Sequence, residues 1–244
     1  MIVITGMRAE ARIASAPGVS VFACGGNVGL RAAAIRHAVF SGAPAIVSFG
    51  IAGGLLARMR PGDWIVATGV CAGGERIAAD PAWTERLAER LPGAEIADIV
   101  SVPEPVRRSH QKRHLQAATG ASAVDMESFQ AAALARELNV PFAAVRVVAD
   151  PVERELPPAV HSGLQTDGSV ALGTVIDSLT REPGQLLSLG RVAFDAYLAF
   201  RALSRGRDRL GPRFASLVCP TVVAGAPPHI GAASAGPMGV IQPA

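Results

Sequence analysis

Short, continuous apolar runs alternate with helical patterns along most of this 244-residue chain, and this alternation constrains the fold more than any other feature. Runs rich in β-branched residues are typical of strands buried on both faces of a sheet. Strands that alternate with helices favour an α/β architecture. Strands are predicted over residues 2–4, 19–24, 45–49, 64–70, 121–124 and 142–148.

Helix signals separate these runs. Asp80 followed by Pro81 is typical of an N-cap with proline at the first helical position, and it predicts a helix that ends before Pro92. Asn27 is the predicted N-cap of another helix. This second helix is predicted over residues 27–42, and two more helices are predicted over residues 128–138 and 163–179.

The composition excludes several classes of protein. With 50% hydrophobic and 18% charged residues and a mean hydropathy of +0.33, the chain is not a disordered one. Its longest charge-free stretch, residues 38–57, contains glycines and a proline, which predict a helix end, a buried strand and a Gly-rich loop instead of a membrane span. The N-terminus has no basic segment before its apolar stretch, so no signal peptide and a cytoplasmic location are predicted.

The basic residues and the candidate metal ligands argue against nucleic-acid and metal partners. The net charge is +3, but Lys112 is the only lysine, and this arginine-dominated composition lacks the mixed basic patch and interleaved aromatics of a nucleic-acid surface. His110 and His114 flank polar and basic residues, which indicates a solvated helix face more than a metal site. The cysteines are too scattered for a disulfide framework or a metal site: Cys24, Cys71 and Cys219. No metal and no cofactor are predicted.

The character of the chain changes after residue 180, because residues 181–213 carry seven arginines. A helix is predicted over residues 185–205, with an apolar stripe of Leu186, Leu189, Tyr197 and Phe200. Such a helix either closes the sheet as an ordinary surface helix or contacts a membrane, where its arginines attract anionic headgroups. The predicted parts are a domain over residues 1–180, a basic amphipathic helical extension over residues 181–213 and an irregular Pro/Gly-rich tail over residues 214–244.

Glycines and carboxylates follow the ends of the predicted strands. Residues 6–10, 25–27, 50–54 and 125–128 are segments of this kind, and Asp150 ends the last apolar run. Ligands of open α/β sheets bind outside the carboxyl ends of the strands, so these segments are expected to line one pocket. A plain turn or a helix N-cap acid is the structural alternative for each of them.

Five of the segments occur in the order of a known family. They are GMRAE at residues 6–10, GIAGGL at 50–55, RPGDWIV at 60–66, VDMES at 124–128 and RVVAD at 146–150. Over roughly the first three quarters of its length, the chain resembles the purine and uridine phosphorylase superfamily, in the methylthioadenosine/S-adenosylhomocysteine nucleosidase-like branch. The basic helix over residues 185–205 further resembles the hopanoid-associated member, thought to remove adenine from adenosylhopane.

The resemblance implies a single three-layer αβα domain with a central mixed β-sheet, and an enzyme that cleaves the N-ribosyl bond of an adenine nucleoside. A neutral purine leaves far better than its anion, and Asp150 would deliver the proton at base N7. Glu127 would accept hydrogen bonds from the ribose hydroxyls while Met126 packs on the sugar, and Glu10 would orient or deprotonate the attacking water. The other binding positions implied are Gly25, Gly26, Asn27, Gly50, Ile51 and Ala52. The resemblance also implies a homo-oligomer.

The nucleophile remains open between water and phosphate. Ile51 stands where many relatives carry a hydroxyl side chain, and Ser48 stands where some phosphorylases carry an arginine. Arg8, Arg31 and the amides of residues 25–27 are candidate phosphate ligands, although a nearby glutamate would repel phosphate. A methylthioadenosine nucleosidase and a nucleoside-binding module without catalysis are the alternative functions, and the intact carboxylates argue against the second.

Overall fold

The computed structural model describes residues 1–156 and 186–216. The strands are β1 (Ile2–Thr5), β2 (Ser20–Ala23), β3 (Ile46–Gly54), β4 (Trp64–Ala72), β5 (Glu75–Ala78), β6 (Glu95–Ser101), β7 (Ala123–Asp125) and β8 (Phe142–Asp150). The helices are α1 (Arg8–Ala14), α2 (Ala32–Phe40), α3 (Pro81–Arg90), α4 (Ser109–Thr119), α5 (Ser128–Glu137) and α6 (Leu186–Leu210), and a short 3₁₀ helix (Val28–Arg31) precedes α2. The alternation of strands and helices confirms the predicted α/β class.

The eight strands of the described residues belong to one mixed sheet, and seven of them follow the order β2-β1-β3-β7-β6-β4-β5. Strand β8 pairs in parallel with β3 and antiparallel with β4. Because β7 also joins β3 to β6, the strands β3, β8, β4, β6 and β7 close into a ring. The predicted central mixed sheet is therefore confirmed, and it is partly closed.

Helices cover both faces of the sheet. Ile2 and Ile4 of β1 pack on the face that α2 and α5 cover, whereas Val3 packs on the face that α1, α3 and α6 cover. Successive side chains of a strand point to opposite faces, so both faces of β1 are apolar and both are buried. The two layers of helices confirm the three-layer prediction.

Hydrogen bonds test the two predicted helix N-caps, and they confirm one and correct the other. Asp80 caps α3, because its side chain accepts a hydrogen bond from Trp83 N at 2.7 Å. Asn27 makes no side-chain cap hydrogen bond, and a 3₁₀ turn precedes α2, so the predicted N-cap at Asn27 is wrong.

The Gly-rich loop predicted after residue 49 is also wrong. Residues 50–54 continue β3, paired along one edge with β8 and at the end of the other with β7. The two partner strands pair with this segment, and its glycines, which have no side chain, let neighbouring groups approach the strand closely. A Cβ at Gly53, for example, would lie 3.2 Å from Asp150 Oδ2.

The predicted C-terminal helix forms and packs on the sheet. Ala199 and Leu203 are buried in the core, but Tyr197 is 58% exposed, so the buried face is rotated from the predicted stripe. The side chain of Leu186, the predicted helix over residues 163–179 and the tail beyond residue 216 lie outside the described residues. In the described part of the chain, no helix has the length and apolar character needed to span a membrane.

Candidate active site

A cavity of about 390 Å³ lies where the chain leaves β1, β7 and β8 and passes the second half of β3. Its volume is in the range of small-molecule pockets. The structure brings seven of the ten predicted site residues to its wall: Glu10, Gly25, Ile51, Ala52, Met126, Glu127 and Asp150.

The other three predicted residues do not line the cavity. Gly50 lies behind the wall, where a Cβ would overlap the carboxylate of Glu10. Gly26 lies behind Met126, and its missing side chain makes room for that residue, since a Cβ would be 2.7 Å from Met126 Cε. Asn27 is exposed and lies away from the cavity.

Asp150 ends β8 beside a buried ammonium group. Lys112 Nζ, on α4, donates a hydrogen bond of 2.5 Å to Asp150 Oδ2, and the Lys112 side chain is fully buried. The Asp150 side chain keeps 17% exposure at the cavity. Burial raises the pKa of Asp150, and the ammonium of Lys112 opposes that shift. A carboxyl group with a raised pKa is suited to hold and deliver a proton.

Glu127 directly precedes α5 but does not cap it. Its side chain makes no cap hydrogen bond, and Arg146 Nη2 lies 3.4 Å from Glu127 Oε2. Burial raises the pKa of Glu127 to about 8, and Arg146 opposes the shift. The simple helix-cap alternative is therefore wrong for this residue.

Glu10 combines a structural contact with a place at the cavity. One oxygen accepts a hydrogen bond of 2.7 Å from Met7 N at the start of α1, and the other accepts one of 2.7 Å from Ile51 N on β3. Burial raises the pKa of Glu10, and Arg146 opposes it. Glu10 is thus a first-turn helix acid that also lines the cavity.

The guanidinium of Arg146, on β8, lies behind these carboxylates. Asp125 Oδ2 accepts from Arg146 Nε at 2.8 Å, and Ser48 Oγ accepts from Nη2 at 2.7 Å. A single buried cation therefore faces three buried carboxylates, Glu10, Asp125 and Glu127. Ser48 of β3, where the sequence resemblance notes an arginine in some phosphorylases, thus contacts a guanidinium from the neighbouring strand β8.

The far end of the cavity is apolar. The loop after β6 contributes Val102, Pro105 and Val106, and the segment after β8 contributes Leu156. Helix α6 contributes Leu189, Val192, Ala196 and Phe200. The cavity therefore joins a carboxylate-rich end to an end suited to a hydrocarbon group.

The candidate phosphate ligands are mostly occupied or distant. Gly25 N donates to Gly6 O at 2.8 Å, and Asn27 N donates to Cys24 O at 3.0 Å, so two of the three predicted amides already have backbone partners. The side chains Arg8 and Arg31 are exposed and do not line the cavity. Within residues 1–156 and 186–216, no group of three or more His, Cys, Asp or Glu side chains is placed to hold a metal ion.

Residues 6–175 match the sequence profile of the phosphorylase superfamily. The chain belongs to this superfamily. Membership confirms the predicted enzyme class, a nucleoside phosphorylase or nucleosidase that cleaves N-glycosyl bonds. No curated protein matches the chain significantly by sequence.

Solved structures share the superfamily fold at low sequence identity. Futalosine hydrolase of Helicobacter pylori is 16% identical, with a TM-score of 0.54, and the match covers 74% of this chain and 97% of that one. A mutant 5′-methylthioadenosine/S-adenosylhomocysteine nucleosidase of Helicobacter pylori, with 5′-methylthioadenosine in its active site, is 16% identical, with a TM-score of 0.57 and coverage of 86% and 98%. The corresponding nucleosidase of Neisseria meningitidis, in complex with methylthio-immucillin-A, is 18% identical, with a TM-score of 0.53 and coverage of 84% and 97%.

Sequence reasoning about this superfamily member missed the roles of Lys112 and Arg146. The polar pattern around His110 and His114 predicts a solvated face that includes Lys112, but Lys112 is fully buried whereas both histidines are exposed, so the prediction is wrong for Lys112. Its signal in the sequence is its uniqueness in an arginine-rich chain. For Arg146, the signal is a charge in the middle of the apolar run of β8, which requires a buried partner such as Asp125.

Proposed function

We propose that the chain hydrolyses the N-ribosyl bond of an adenine nucleoside with an apolar 5′ substituent, releasing adenine. Adenosylhopane, and with it a step of hopanoid biosynthesis, is the substrate that the sequence resemblance favours. The observation that carries the proposal is a single cavity in which Asp150, Glu127 and Glu10 adjoin an apolar end.

The three carboxylates suit the stages of bond cleavage. Asp150 donates a proton to N7, so that the base leaves as neutral adenine. Glu127 accepts hydrogen bonds from the ribose hydroxyls as positive charge develops on the sugar ring. Glu10 orients and deprotonates the attacking water, and its raised pKa makes it a stronger base than an exposed glutamate.

Water is the favoured nucleophile because the cavity is poor in groups that bind phosphate. Arg146 does not line the cavity, and its Nε and Nη2 donate to Asp125 and Ser48, while the amides of Gly25 and Asn27 donate to backbone carbonyls. Adenine release at the same rate with and without phosphate, and free ribosyl product in both cases, is the expected result. Rates that require phosphate would support phosphorolysis instead.

The apolar end of the cavity is proposed to bind the 5′ substituent. We expect kcat/KM to rise from adenosine to 5′-methylthioadenosine to 5′-alkyl-5′-deoxyadenosines with long chains. Phe200→Ala should lower kcat/KM on the order of tenfold for the long-chain substrate and much less for adenosine, because it removes apolar contact area only. Tyr197→Ala, an exposed site on the same helix, is the matched control. A maximum at 5′-methylthioadenosine would favour the methylthioadenosine nucleosidase function.

Peripheral membrane contact is proposed through the outer face of α6. Phe194 and Tyr197 are exposed there, and Arg191, Arg201 and Arg205 are exposed on the same helix. Exposed aromatics with cationic neighbours suit the interface of an anionic bilayer. Co-flotation with anionic liposomes should weaken with salt and in the variant Arg201→Glu with Arg205→Glu, while activity on a soluble adenosine analogue is retained.

The matched control for the flotation assay reverses two charges on the opposite helical layer. Arg36→Glu with Arg136→Glu changes the net charge equally but leaves α6 intact, so its flotation should equal that of the wild type. A wild-type protein that stays at the bottom of the gradient at low salt would contradict membrane contact.

A homo-oligomer is also proposed. The exposed apolar side chains of Leu30 and Phe40, at the two ends of the α2 region, support it as candidates for burial against another copy. Light scattering after size-exclusion chromatography measures the mass, and a monomer at all concentrations would contradict the proposal.

A further inference from the structure

The position of Lys112 is unusual for a lysine. It is the only lysine of the chain and is fully buried on α4. Its Nζ lies 2.5 Å from Asp150 Oδ2 and donates to the backbone oxygens of Asp150 at 3.1 Å, Pro151 at 3.0 Å and Arg154 at 3.3 Å. Burying an ammonium ion costs several kcal/mol unless it is paired. The pairing with Asp150 therefore fixes Lys112 at the site.

This pairing raises a question about the proton for adenine. The ammonium of Lys112 favours the charged form of Asp150 and so opposes its protonation, yet the departing base needs a proton. Among residues 1–156 and 186–216, the charged groups near Asp150 are Lys112 from α4, Arg154 from the following segment and Asp195 from α6. Arg154 Nε binds Asp195 Oδ2 at 2.6 Å, and a guanidinium keeps its protons in proteins. Lys112 is the remaining donor in this group.

We propose that Lys112 is the proton source of Asp150, which rests on the function proposed above. As the bond between C1′ and N9 breaks, its electron pair moves to the base and makes N7 more basic. A proton passes from Lys112 Nζ to the Asp150 carboxylate, and Asp150 gives a proton to N7. The carboxylate is regenerated, the amine is left neutral and adenine leaves neutral. After product release, Glu10 returns to solvent the proton that it took from the attacking water, and the amine of Lys112 takes up a proton from solvent, so no net proton is gained or lost. Lys112 does not touch the substrate and is a positioning residue that acts through Asp150.

Two substitutions separate proton supply from charge. Lys112→Arg keeps the cation but cannot release a proton, so we expect kcat to fall on the order of 10²-fold across the pH range. Lys112→Gln removes the cation, so the buried Asp150 takes its own proton from water at low pH. Its activity should survive in acid, and the alkaline limb of its pH profile should lie about one pH unit or more below that of the wild type.

A substrate with a 7-methylated base bypasses the need for a proton. Its base leaves without protonation, so wild type, Lys112→Arg and Lys112→Gln should differ only a few-fold on it. Arg113→Gln, a neighbouring exposed site on α4, is the matched control and should keep wild-type activity on both substrates. Circular dichroism and Tm establish that each variant is folded.

The uniqueness of Lys112 allows a test in the wild-type protein, independent of any variant. After labelling with ¹³C-lysine, one Cε signal is expected, and its chemical shift reports whether Nζ carries its proton. A Lys112 signal that stays in the ammonium form while activity is lost would overturn the proposal.

The rates of the Lys112 variants also test whether Lys112 supplies the proton. Full activity of Lys112→Arg would show that only the positive charge of Lys112 is needed. Equal losses on the ordinary and the 7-methylated substrate would show that Lys112 has a structural role. Either result overturns proton supply while wild-type adenine release still supports the proposed function. A wild type that releases no adenine from any nucleoside would overturn both.

Discussion

Removal of the Arg146 guanidinium should destabilise the fold strongly, because it leaves three buried carboxylates without their cation. Arg146 is fully buried, and its Nη2 lies 2.7 Å from Asp125 Oδ2 and 3.4 Å from Glu127 Oε2. Breaking a buried ion pair by removing one partner costs about 3–5 kcal/mol. We expect Arg146→Met to lower the free energy of unfolding by about this amount.

The loss should also depend on pH. Burial raises the pKa of Glu10 and of Glu127, the latter to about 8, and Arg146 opposes both shifts. A carboxyl group with a raised folded-state pKa stabilises the fold most below its ordinary pKa, and that stability is lost as pH rises through the folded value. Each such proton changes the free energy of unfolding by roughly 1.4 kcal/mol per pH unit. Without Arg146 both pKa values rise further, so the deficit of Arg146→Met should be larger near pH 8.5 than near about pH 5.

Urea unfolding followed by tryptophan fluorescence measures this deficit, since Trp83 is buried in the core and reports on its loss. Arg136→Met is the matched control, because the ion pair of Arg136 with Glu75 is exposed and should contribute less than about 1 kcal/mol. Equal unfolding midpoints for the two variants, or a deficit of Arg146→Met that does not change with pH, would refute the reasoning.

Three further predictions concern activity. Asp150→Asn should lower kcat on the order of 10²–10⁴-fold while substrate still binds, measured by adenine release and by calorimetry, and near wild-type turnover would remove Asp150 from the mechanism. Glu127→Gln should lose more rate on ribose substrates than on their 2′-deoxy analogues, and equal losses would contradict its role at the hydroxyls. Gly50→Ala should lower both activity and Tm, because the added Cβ would overlap the carboxylate of Glu10 and lie 2.6 Å from Arg146 Nη1; a variant with unchanged kcat would show that Glu10 tolerates displacement.

The strands with continuous apolar runs could be predicted from sequence because burial on both faces leaves an unambiguous pattern. Strands β5 and β6 could not, for two different reasons. The edge strand β5 is short and carries exposed Glu75 and Arg76, whereas β6 carries Glu95 and Asp98 among its apolar residues. Asp98 is held by Arg76 Nε at 2.6 Å, a pairing across strands that no local pattern reveals.

The candidate site could likewise be predicted only where a local sequence pattern marks its residues. Glu10, Glu127 and Asp150 could be proposed because each follows a strand within a recognisable segment. Lys112 and Arg146 could not be assigned, because their burial depends on contacts with residues far away in sequence, such as Asp150, which lies 38 positions after Lys112. Helix α6 was predicted with its apolar stripe in a different orientation, since the periodicity alone does not say which side meets the sheet.

The cavity is proposed to release adenine from a 5′-alkyl adenosine, and chromatographic detection of adenine in reactions of the purified protein measures this activity directly. The wild type should release one adenine per nucleoside consumed, without added phosphate. The double variant Asp150→Asn with Glu127→Gln, purified in the same way, should release none above background, which excludes a contaminating enzyme. Absence of adenine from the wild-type reaction, or equal release by the double variant, would contradict the proposed function of the cavity.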